Sequence, residues 1–378
     1  MSGLYLIADD LTGALDSSAF FSARFGPIPV YLEAPADNLA GPLAVDLATR
    51  DGNGERAILA AAGLAPRMAR SDIAFKKIDS LLRGNWASEL AGLLAGGSFR
   101  TCILAPAFPA QGRITIAGRQ EVHAAGARSF TVATDPAVEL DRLGMRVVLA
   151  NSAGARNPYI GNGAGPEVVI ADAASDEDLA AIAHWGSAGT APILWCGSAG
   201  LARALAGGQP PARIAFARRP LLAIIGSHHE VSLHQVERSL PRLAQGQHVV
   251  ARLDAASRSE HSATLISAAL NQHGECLLTF GFSPATSTAR AAASIATHLQ
   301  EVLPSIAAPA TLAAAGGETL RAVCAALGVV QLVVDAEAGP GIPRSRIPSG
   351  AWAGVEVISK SGAFGDPDWL LDLLAASR

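Results

Sequence analysis

Near its start the chain reads Leu4-Tyr5-Leu6-Ile7-Ala8-Asp9-Asp10-Leu11-Thr12-Gly13-Ala14. The apolar run predicts a buried first strand, and Thr-Gly after the two carboxylates predicts the start of a helix. Open α/β sheets bind ligands outside the carboxyl ends of their strands, so we predict a polar site at Asp9 and Asp10. Because neighbouring side chains of an extended chain point to opposite sides, we expect the two carboxylates to have different roles. The alternative is that Asp10 or Thr12 only caps a helix running from Gly13 to about Phe25.

Strand-like runs alternate with helical patterns along the whole chain, which predicts an α/β fold with mostly parallel sheets. In the first half, strands are predicted near 4–8, 28–32, 43–47, 72–78, 101–105, 145–149, 167–171 and 192–196, with helices near 13–25, 54–69, 85–95, 176–185 and 199–206. In the second half, strands are predicted near 221–225, 247–253, 275–280, 311–315, 330–334 and 354–358, with helices near 231–242, 258–271, 288–303, 318–327 and 367–377. The Gly- and Asn-rich segment 151–165 predicts a surface loop.

At 378 residues the chain exceeds the usual size of one domain. The sequence Gly-Gly-Gln-Pro-Pro at 207–211, followed by Arg-Arg-Pro at 218–220, interrupts every periodic pattern and predicts a linker. We therefore predict two α/β domains, residues 1–206 and 221–378, joined by a linker over 207–220. Each domain is expected to be a mostly parallel sheet flanked by helices.

Composition excludes several classes of function. A net charge of −4 and a pI near 6.1 argue against a nucleic-acid-binding surface. Apolar stretches fall short of the roughly 20 residues that a membrane span needs, and no signal peptide precedes the first strand. Four dispersed cysteines predict buried thiols in a reducing cytoplasm. The histidines at 228, 229 and 234 lack a partnering Cys or acidic set, so no metal site made of protein ligands is predicted.

Lysine is rare in this chain. Only Lys76, Lys77 and Lys360 occur among 29 basic residues. Arginine therefore supplies nearly all the generic surface charge, and the ammonium groups are expected where a compact point charge suits a phosphate or carboxylate. The alternative is that these three lysines occur at their positions by chance.

Two further predicted strand ends carry polar groups in the first domain. One reads Lys76-Lys77-Ile78-Asp79-Ser80-Leu81-Leu82-Arg83-Gly84-Asn85, in which an Arg fork suits bidentate capture of a planar carboxylate. The alternative is an internal Arg83–Asp79 ion pair, with Asn85 capping the next helix. The other reads Ala105-Pro106-Ala107-Phe108-Pro109-Ala110-Gln111-Gly112-Arg113. Three such strand ends predict one polar pocket for a small polyhydroxylated anion.

The second domain has four turns rich in glycine or serine. They are Gly226-Ser227-His228-His229, Gly316-Gly317-Glu318-Thr319, Gly339-Pro340-Gly341-Ile342-Pro343, predicted as a rigid loop, and Lys360-Ser361-Gly362-Ala363-Phe364-Gly365. Backbone N–H groups at helix N-termini bind phosphates, and glycine permits the close approach. Neither a Walker sequence nor a G-x-G-x-x-G sequence after a strand is present. Although ordinary tight turns would explain any one of them, four in one domain predict a nucleotide-phosphate site.

Taken together and in order, these segments resemble the four-carbon acid sugar kinase family. The resemblance covers essentially the whole chain, including Asp16 and the Gly197-Ser198-Ala199-Gly200 sequence. It implies an N-terminal sugar-acid domain, a C-terminal nucleotide domain and an active site in the interdomain cleft. It also implies ATP-dependent phosphorylation of threonate, erythronate or 3-oxo-tetronate at the terminal hydroxyl.

The resemblance assigns two sets of binding residues. The sugar acid would be bound by Asp9, Asp10, Thr12, Lys76, Lys77, Asp79, Ser80, Arg83, Gly84, Asn85, Gln111 and Arg113. ATP would be bound by Ser227, His229, Gly316, Gly317, Glu318, Thr319, Gly341, Lys360, Ser361, Gly362 and Gly365.

The resulting hypothesis is in-line phosphoryl transfer, with Asp10, Asp79 and Arg83 as catalytic residues. Arg83, aided by Lys76 or Lys77, grips the substrate carboxylate, and Asp10 or Asp79 accepts the hydroxyl proton. Mg²⁺ bridges the ATP phosphates, with Glu318 as a candidate ligand, direct or through water. Oligomeric state stays open, with a homo-oligomer among the options.

Two other classes of protein compete with this hypothesis. A haloacid-dehalogenase-type phosphatase also has acidic residues after its first strand, but its nucleophilic Asp would fall at Ala8. A non-catalytic sugar-acid sensor could use the same fold, although the phosphate-type turns argue against it.

Overall fold

The computed structural model describes residues 2–36, 39–123, 128–151, 166–185, 192–214, 217–245, 249–253, 259–282 and 286–376. The predicted loop at 151–165 lies outside these residues except for Asn151. The chain forms two compact units, Met1–Pro210 and Pro211–Arg378.

The first unit is built on a parallel sheet. Its strands are β1 (Ser2–Ala8), β2 (Ile28–Tyr31), β3 (Leu43–Asp46), β4 (Ser71–Lys77), β5 (Thr101–Ala105), β9 (Arg146–Ala150), β10 (Glu167–Ala171) and β11 (Ile193–Gly197), and they lie in the order β2-β3-β1-β4-β11-β5-β10-β9. Its helices are α1 (Leu11–Phe25), α2 (Gly54–Ala62), α3 (Ala65–Met68), α4 (Trp86–Ala95), α5 (Pro136–Arg142), α6 (Asp176–Trp185) and α7 (Ala199–Leu205). The predicted parallel α/β fold is confirmed for this unit.

The strand order of this sheet predicts where a ligand crevice lies. From β1 the chain first runs to β2 and β3 on one side of β1, and then crosses to β4 on the other side. The switch point therefore lies between β1 and β4, where open α/β sheets bind their ligands. Asp9 follows β1 and Asp79 follows β4 within two residues, so both predicted motifs stand at this switch point.

Some elements of the first unit were not predicted. A small antiparallel sheet is formed by β6 (Arg113–Ile116), β7 (Arg119–Val122) and β8 (Phe130–Thr131). The predicted helix over 54–69 is two helices, since Gly63 ends α2 and Pro66 lies in the first turn of α3.

The second unit repeats the opening topology of the first. Its strands are β12 (Leu221–Ile225), β13 (Val249–Leu253), β14 (Glu275–Phe280), β15 (Thr311–Ala315), β16 (Gln331–Gly339), β17 (Ile342–Arg346) and β18 (Glu356–Lys360), in the order β13-β14-β12-β15-β18-β17-β16. Its helices are α8 (Glu230–Gln245), α9 (Ser259–His273), α10 (Thr288–Val302), α11 (Gly317–Ala326) and α12 (Trp369–Ala376). Here the switch point lies between β12 and β15, which the turns at Gly226 and Gly316 follow directly.

One prediction in this unit is wrong. The sequence Gly-Pro-Gly-Ile-Pro at 339–343 is not a separate rigid loop but the tight connection of the antiparallel hairpin β16–β17. Its prolines hid the strand, because proline disfavours a central strand, whereas β17 carries Pro343 and still pairs with β16 on one side and β18 on the other.

Burial agrees with the prediction for the cysteines and does not test the prediction for the lysines. All four cysteines are buried thiols, and the three lysines are buried as well. Within the described part of the chain, no helix has the length and apolar character needed to cross a membrane.

Candidate active site

Asp9 and Asp10 converge on Arg50, which the sequence analysis did not single out. Nε and Nη2 of Arg50 donate to the two carboxylate oxygens of Asp9 at 2.8 and 2.9 Å, and Nη1 donates to Oδ2 of Asp10 at 2.6 Å. The expectation that the two carboxylates point to opposite sides is therefore wrong. Strand β1 ends at Ala8, so alternation along a strand does not apply to them.

Asp10 is also the N-cap of α1. Its Oδ1 accepts from the backbone N–H of Gly13 at 2.9 Å, and its Oδ2 accepts from the Thr12 hydroxyl at 2.6 Å. Asp10 thus caps the helix, but it also binds Arg50, so the alternative in which it only caps is wrong, and Thr12 is a donor to the cap. A Cβ at residue 13 would lie 2.5 Å from Oδ1 of Asp10 and 3.0 Å from Nζ of Lys77. The Asp-Asp-Leu-Thr-Gly sequence thus needs glycine so that helix, carboxylate and ammonium can lie together.

Burial and three neighbouring cations shift the pKa of the Asp9 carboxyl in opposite directions. The side chain is fully buried, and burial alone would raise its pKa. Lys76, Arg50 and Lys77 outweigh burial and hold the pKa of Asp9 below its usual value. Asp9 is therefore ionised at neutral pH.

The two predicted lysines differ in their surroundings. Nζ of Lys76 lies 2.5 Å from the Glu89 carboxylate and donates to the Lys77 carbonyl at 2.8 Å, with the side chain fully buried. Lys76 therefore does not contact a ligand, which corrects its predicted role. Lys77 is 5% exposed, and within the described residues its ammonium has no hydrogen bond or ion pair.

Arg83 forms the internal ion pair that was the alternative to substrate binding. Its Nε and Nη2 each donate at 2.8 Å to one oxygen of Asp79, and its side chain remains 63% exposed. Burial would raise the pKa of Asp79, but Arg83 above all, with Arg50 and Lys77, lowers it to about 2. A carboxylate of this kind is a weak proton acceptor at neutral pH.

Asn85 is the N-cap residue of α4, but its side chain does not cap the helix. Nδ2 of Asn85 instead donates to the carbonyls of Thr49 and Gly52, at 2.7 and 2.9 Å. These are the residues that flank Arg50. Asn85 therefore holds the loop that presents Arg50, and the alternative in which its side chain caps the helix is wrong.

The third predicted strand end is braced by side chains from elsewhere in the unit. Nη1 of Arg113 donates to the Gln111 side chain at 2.7 Å. Gln120, which is fully buried and was not predicted, donates to the Ser80 carbonyl at 2.9 Å and to the Pro106 carbonyl at 3.3 Å. The two predicted loops are thereby tied to each other.

Asp16 in α1 is another titratable group at this site that the predicted residue set left out. Burial raises its pKa to about 6, with Lys77 opposing and Asp10 adding to the shift. Because the folded-state pKa lies above the unfolded value near 4, the folded chain holds this proton more tightly between about pH 4 and 6. The stabilisation of the folded chain by this proton is complete below pH 4 and is lost as pH rises through 6.

This linkage gives a testable result. We expect Asp16→Asn, which keeps the uncharged shape, to gain stability relative to the native chain as pH rises from 4 to 7. Thermal unfolding of both proteins across that range measures the difference. A stability difference that does not change with pH would contradict the raised pKa.

In the second unit, the predicted glycine turns pack against one another. A Cβ at residue 226 would lie 2.3 Å from Oγ1 of Thr319, and one at residue 362 would lie 2.0 Å from Oγ of Ser227. The turns after β12, β15 and β18 therefore meet at the switch point. Gly341 and Gly365 have positive φ values of 67° and 87° and pack against Phe364 and Trp369.

A cavity of about 710 Å³ opens beside these turns. Its lining includes Ser227, His229 and the 316–319 segment. Part of its lining was not predicted and comes from α10 and α11, namely the small apolar side chains of Ala292, Ala293, Ala296, Ala322 and Ala325, with Ile295 and Arg321 beside them. The cavity thus combines glycine-rich turns with a wall rich in alanine.

Lys360 lies below this surface. Its Nζ donates to Oγ of Ser232 at 3.0 Å and to the Ser361 carbonyl at 3.2 Å. Burial lowers the pKa of Lys360 to about 8, and no carboxylate among the described residues pairs with it. It supports the turn at 361–365 from beneath, as does Gln235, whose Nε2 donates to three carbonyls of that turn.

Over the same described ranges, no group of three or more His, Cys, Asp or Glu side chains could hold a metal ion. Glu318, the candidate Mg²⁺ ligand, is an exposed residue in the first turn of α11 and lines the cavity.

Two family models match this chain. Residues 4–205 match a family model described as a sugar-binding N-terminal domain, and residues 222–370 match a nucleotide-binding C-terminal domain. A D-threonate kinase from Cupriavidus necator is 32% identical over 95% of this chain and 94% of its own length. A D-erythronate kinase from Heliobacterium modesticaldum is 25% identical over 97% and 95%.

A solved structure shares the fold. A protein from Salmonella typhimurium matches with a TM-score of 0.73 at 20% identity, covering 98% of both chains. The two domain models together cover most of the chain, and the Cupriavidus necator relative covers nearly all of it. The chain belongs to the four-carbon acid sugar kinase family.

Proposed function

We propose that this chain transfers the γ-phosphoryl group of ATP to the terminal hydroxyl of a threonate- or erythronate-type acid, giving the 4-phosphate. The observation that carries the proposal is the charged cluster at the β1–β4 switch point. There, fixed carboxylates stand beside cations, and Lys77 has no partner among the described residues. A small hydroxylated anion fits such a cluster, since the cations attract its carboxylate and the carboxylates accept from its hydroxyls.

Lys77 and Arg83 are the cations we assign to the substrate carboxylate. Lys77 is nearly buried, so an ion pair formed there is screened little by water. Arg83 is largely exposed, and although its Nε and Nη2 pair with Asp79, its Nη1 is left, among the described residues, to receive a substrate carboxylate. Arg50, in contrast, is occupied by Asp9 and Asp10, and its role is to hold those carboxylates in place.

Asp10 and Asp79 are assigned to the substrate hydroxyl. Asp10 accepts from Arg50 and Asp79 accepts from Arg83, so both carboxylates are fixed in place, and the lowered pKa of Asp79 keeps that group ionised. Phosphoryl transfer through a loose transition state depends more on positioning and charge neutralisation than on a strong base. Either carboxylate can therefore orient the hydroxyl and accept its proton late in the reaction.

For ATP we assign the cavity of the second domain. The flat base fits against the alanine wall of α10 and α11, and the phosphates fit the turns at 226–229, 316–319 and 361–362. The charge of ATP and the oxygen ligands available suit Mg²⁺, which would be held by the phosphates and by Glu318, directly or through water. Bound there, the ion would neutralise charge that develops during transfer.

Substrate choice is tested by ATP consumption with D- and L-threonate, D- and L-erythronate and their 3-oxo forms. We expect one member or a related pair to stand clearly above the rest. A flat response over the panel would contradict the assignment. Binding of these acids without ATP consumption would favour the sensor alternative.

Replacing Lys77 tests the assigned anion contact. Loss of a hydrogen bond to a charged group is worth about 1.5–3 kcal/mol, so Lys77→Met should raise the sugar-acid KM by about 10- to 100-fold. The KM for ATP should change little. Steady-state kinetics with each substrate varied in turn measures both values, and an unchanged sugar-acid KM would exclude Lys77 from the site.

A further inference from the structure

A carboxylate in α4 is buried beneath the predicted sugar-acid site. Glu89 is fully buried, and its oxygens face two different elements. Oε1 accepts from the Thr49 hydroxyl, and Oε2 lies 2.5 Å from Nζ of Lys76 in β4. A buried ion pair of this kind is often no more stabilising than well-packed apolar side chains, so stability alone does not explain it.

Thr49 connects this pair to the site. Its backbone N–H donates to the Asp9 carbonyl at 3.1 Å, and the N–H of Arg50 donates to the same oxygen at 3.2 Å. The Thr49 carbonyl accepts from Asn85. Thr49 is thus held by its hydroxyl, its N–H and its carbonyl, and the next residue in the chain is Arg50.

The turn before Thr49 is strained. Ala48 has a φ of 51°, in the left-handed region that side-chain-bearing residues rarely adopt. Oδ1 of Asp46 accepts from the Ala48 N–H at 2.9 Å and stabilises this conformation. Strained backbone of this kind persists where the surroundings fix it, and it is common at functional sites.

We propose that Lys76, Glu89 and Thr49 form a positioning device that fixes the 47–50 turn, so that Arg50 holds Asp9 and Asp10 in the arrangement that binds the sugar acid. The three residues act through Arg50 and do not touch the substrate. The inference rests on the proposed function for the identity of the ligand, and otherwise on the contacts described above.

The hydroxyl of Thr49 provides the sharpest test. Thr49→Val keeps the shape of the side chain but removes the donor to Glu89, whereas Thr49→Ser keeps the donor. Because the lost contact is a hydrogen bond to a carboxylate, we expect Thr49→Val to raise the Kd of the best sugar acid about tenfold, with the Kd of ATP nearly unchanged. Thr49→Ser should recover most of the affinity. Titration calorimetry on the full chain measures both constants without relying on turnover.

A matched control separates positioning from stability. Glu89→Gln removes the charge facing Lys76 and should also weaken sugar-acid binding. Glu167→Gln alters another buried carboxylate of the same unit, which lies 3.2 Å from Arg146. Glu167 is the first residue of β10, so it lies at the amino ends of the parallel strands, whereas the site lies at their carboxyl ends. It should lower the unfolding temperature without changing the sugar-acid Kd.

The outcomes distinguish this inference from the proposed function. If the native chain binds none of the four-carbon acids, the proposed function fails. If the native chain binds one and both Thr49→Val and Glu89→Gln bind it equally well, the positioning role is wrong. Equal weakening by Thr49→Val and Thr49→Ser would also contradict it, because the hydroxyl would then not matter.

Discussion

Replacing Arg50 with alanine is expected to lower kcat/KM for the sugar acid by about two to three orders of magnitude. Removing one partner of a buried ion pair costs about 3–5 kcal/mol, and each 1.4 kcal/mol corresponds to a factor of ten. Without the guanidinium, the neighbouring Asp9 and Asp10 carboxylates repel each other. Each would then take a proton more readily or move apart. Steady-state kinetics with the acid varied at saturating ATP measures the loss.

Two further variants make the Arg50 result specific. Arg50→Lys keeps the charge, but its ammonium cannot reach both oxygens of Asp9 and one of Asp10 together. Its kcat/KM for the sugar acid should therefore fall between those of Arg50→Ala and the native chain. Arg142→Ala removes an exposed partner of Glu139 in the same unit and should leave kcat/KM within about twofold of native, as is usual for surface ion pairs. An Arg50→Ala protein with near-native kcat/KM would show that the Asp9–Asp10 arrangement does not matter for the reaction.

Replacing Gly362 with alanine is expected to give the largest loss in the nucleotide domain. The new Cβ would lie 2.0 Å from Oγ of Ser227 and 3.3 Å from Cβ of His229, so Ser227 must move. Overpacking of this kind costs about 1–3 kcal/mol, and we expect the Kd of ATP to rise by about 10- to 100-fold. The Kd of the sugar acid should stay near its native value. Titration of each ligand separately measures this difference.

Gly96→Ala is the matched control, since a Cβ at that exposed position would meet nothing within 4 Å. It should leave both dissociation constants unchanged. If Gly362→Ala also binds ATP as tightly as the native chain, the turn at 361–362 is not part of the nucleotide site.

Local pattern predicted much of the fold. The buried strand over residues 4–8, the helix after it and the parallel β12–β15 core all follow from apolar runs bounded by turn residues. The segments at both switch points could also be identified from the sequence, since polar or glycine-rich residues follow the strands that form them. The β16–β17 hairpin was missed because Pro340 in its turn and Pro343 in its second strand are typical of a loop.

Long-range pairing is what the sequence could not supply. Arg50 lies in a Thr-Arg-Asp-Gly segment that resembles any polar turn, and only the fold brings it 2.6–2.9 Å from Asp9 and Asp10. The scarcity of lysine pointed to Lys76 and Lys77, but burial against Glu89 is what sets Lys76 apart. The alanine wall of α10 likewise carries no local signal, because alanine is common throughout the chain.

The account is tested most directly by ³¹P NMR of the native protein with Mg²⁺, ATP and D-threonate or D-erythronate. We predict a new phosphomonoester signal, coupled to the protons on carbon 4 of the acid, that grows as ATP is converted to ADP. Transfer to another hydroxyl would correct the assigned position. Conversion of ATP to ADP and inorganic phosphate alone, or no conversion with either acid or with the other isomers, would contradict the proposed function.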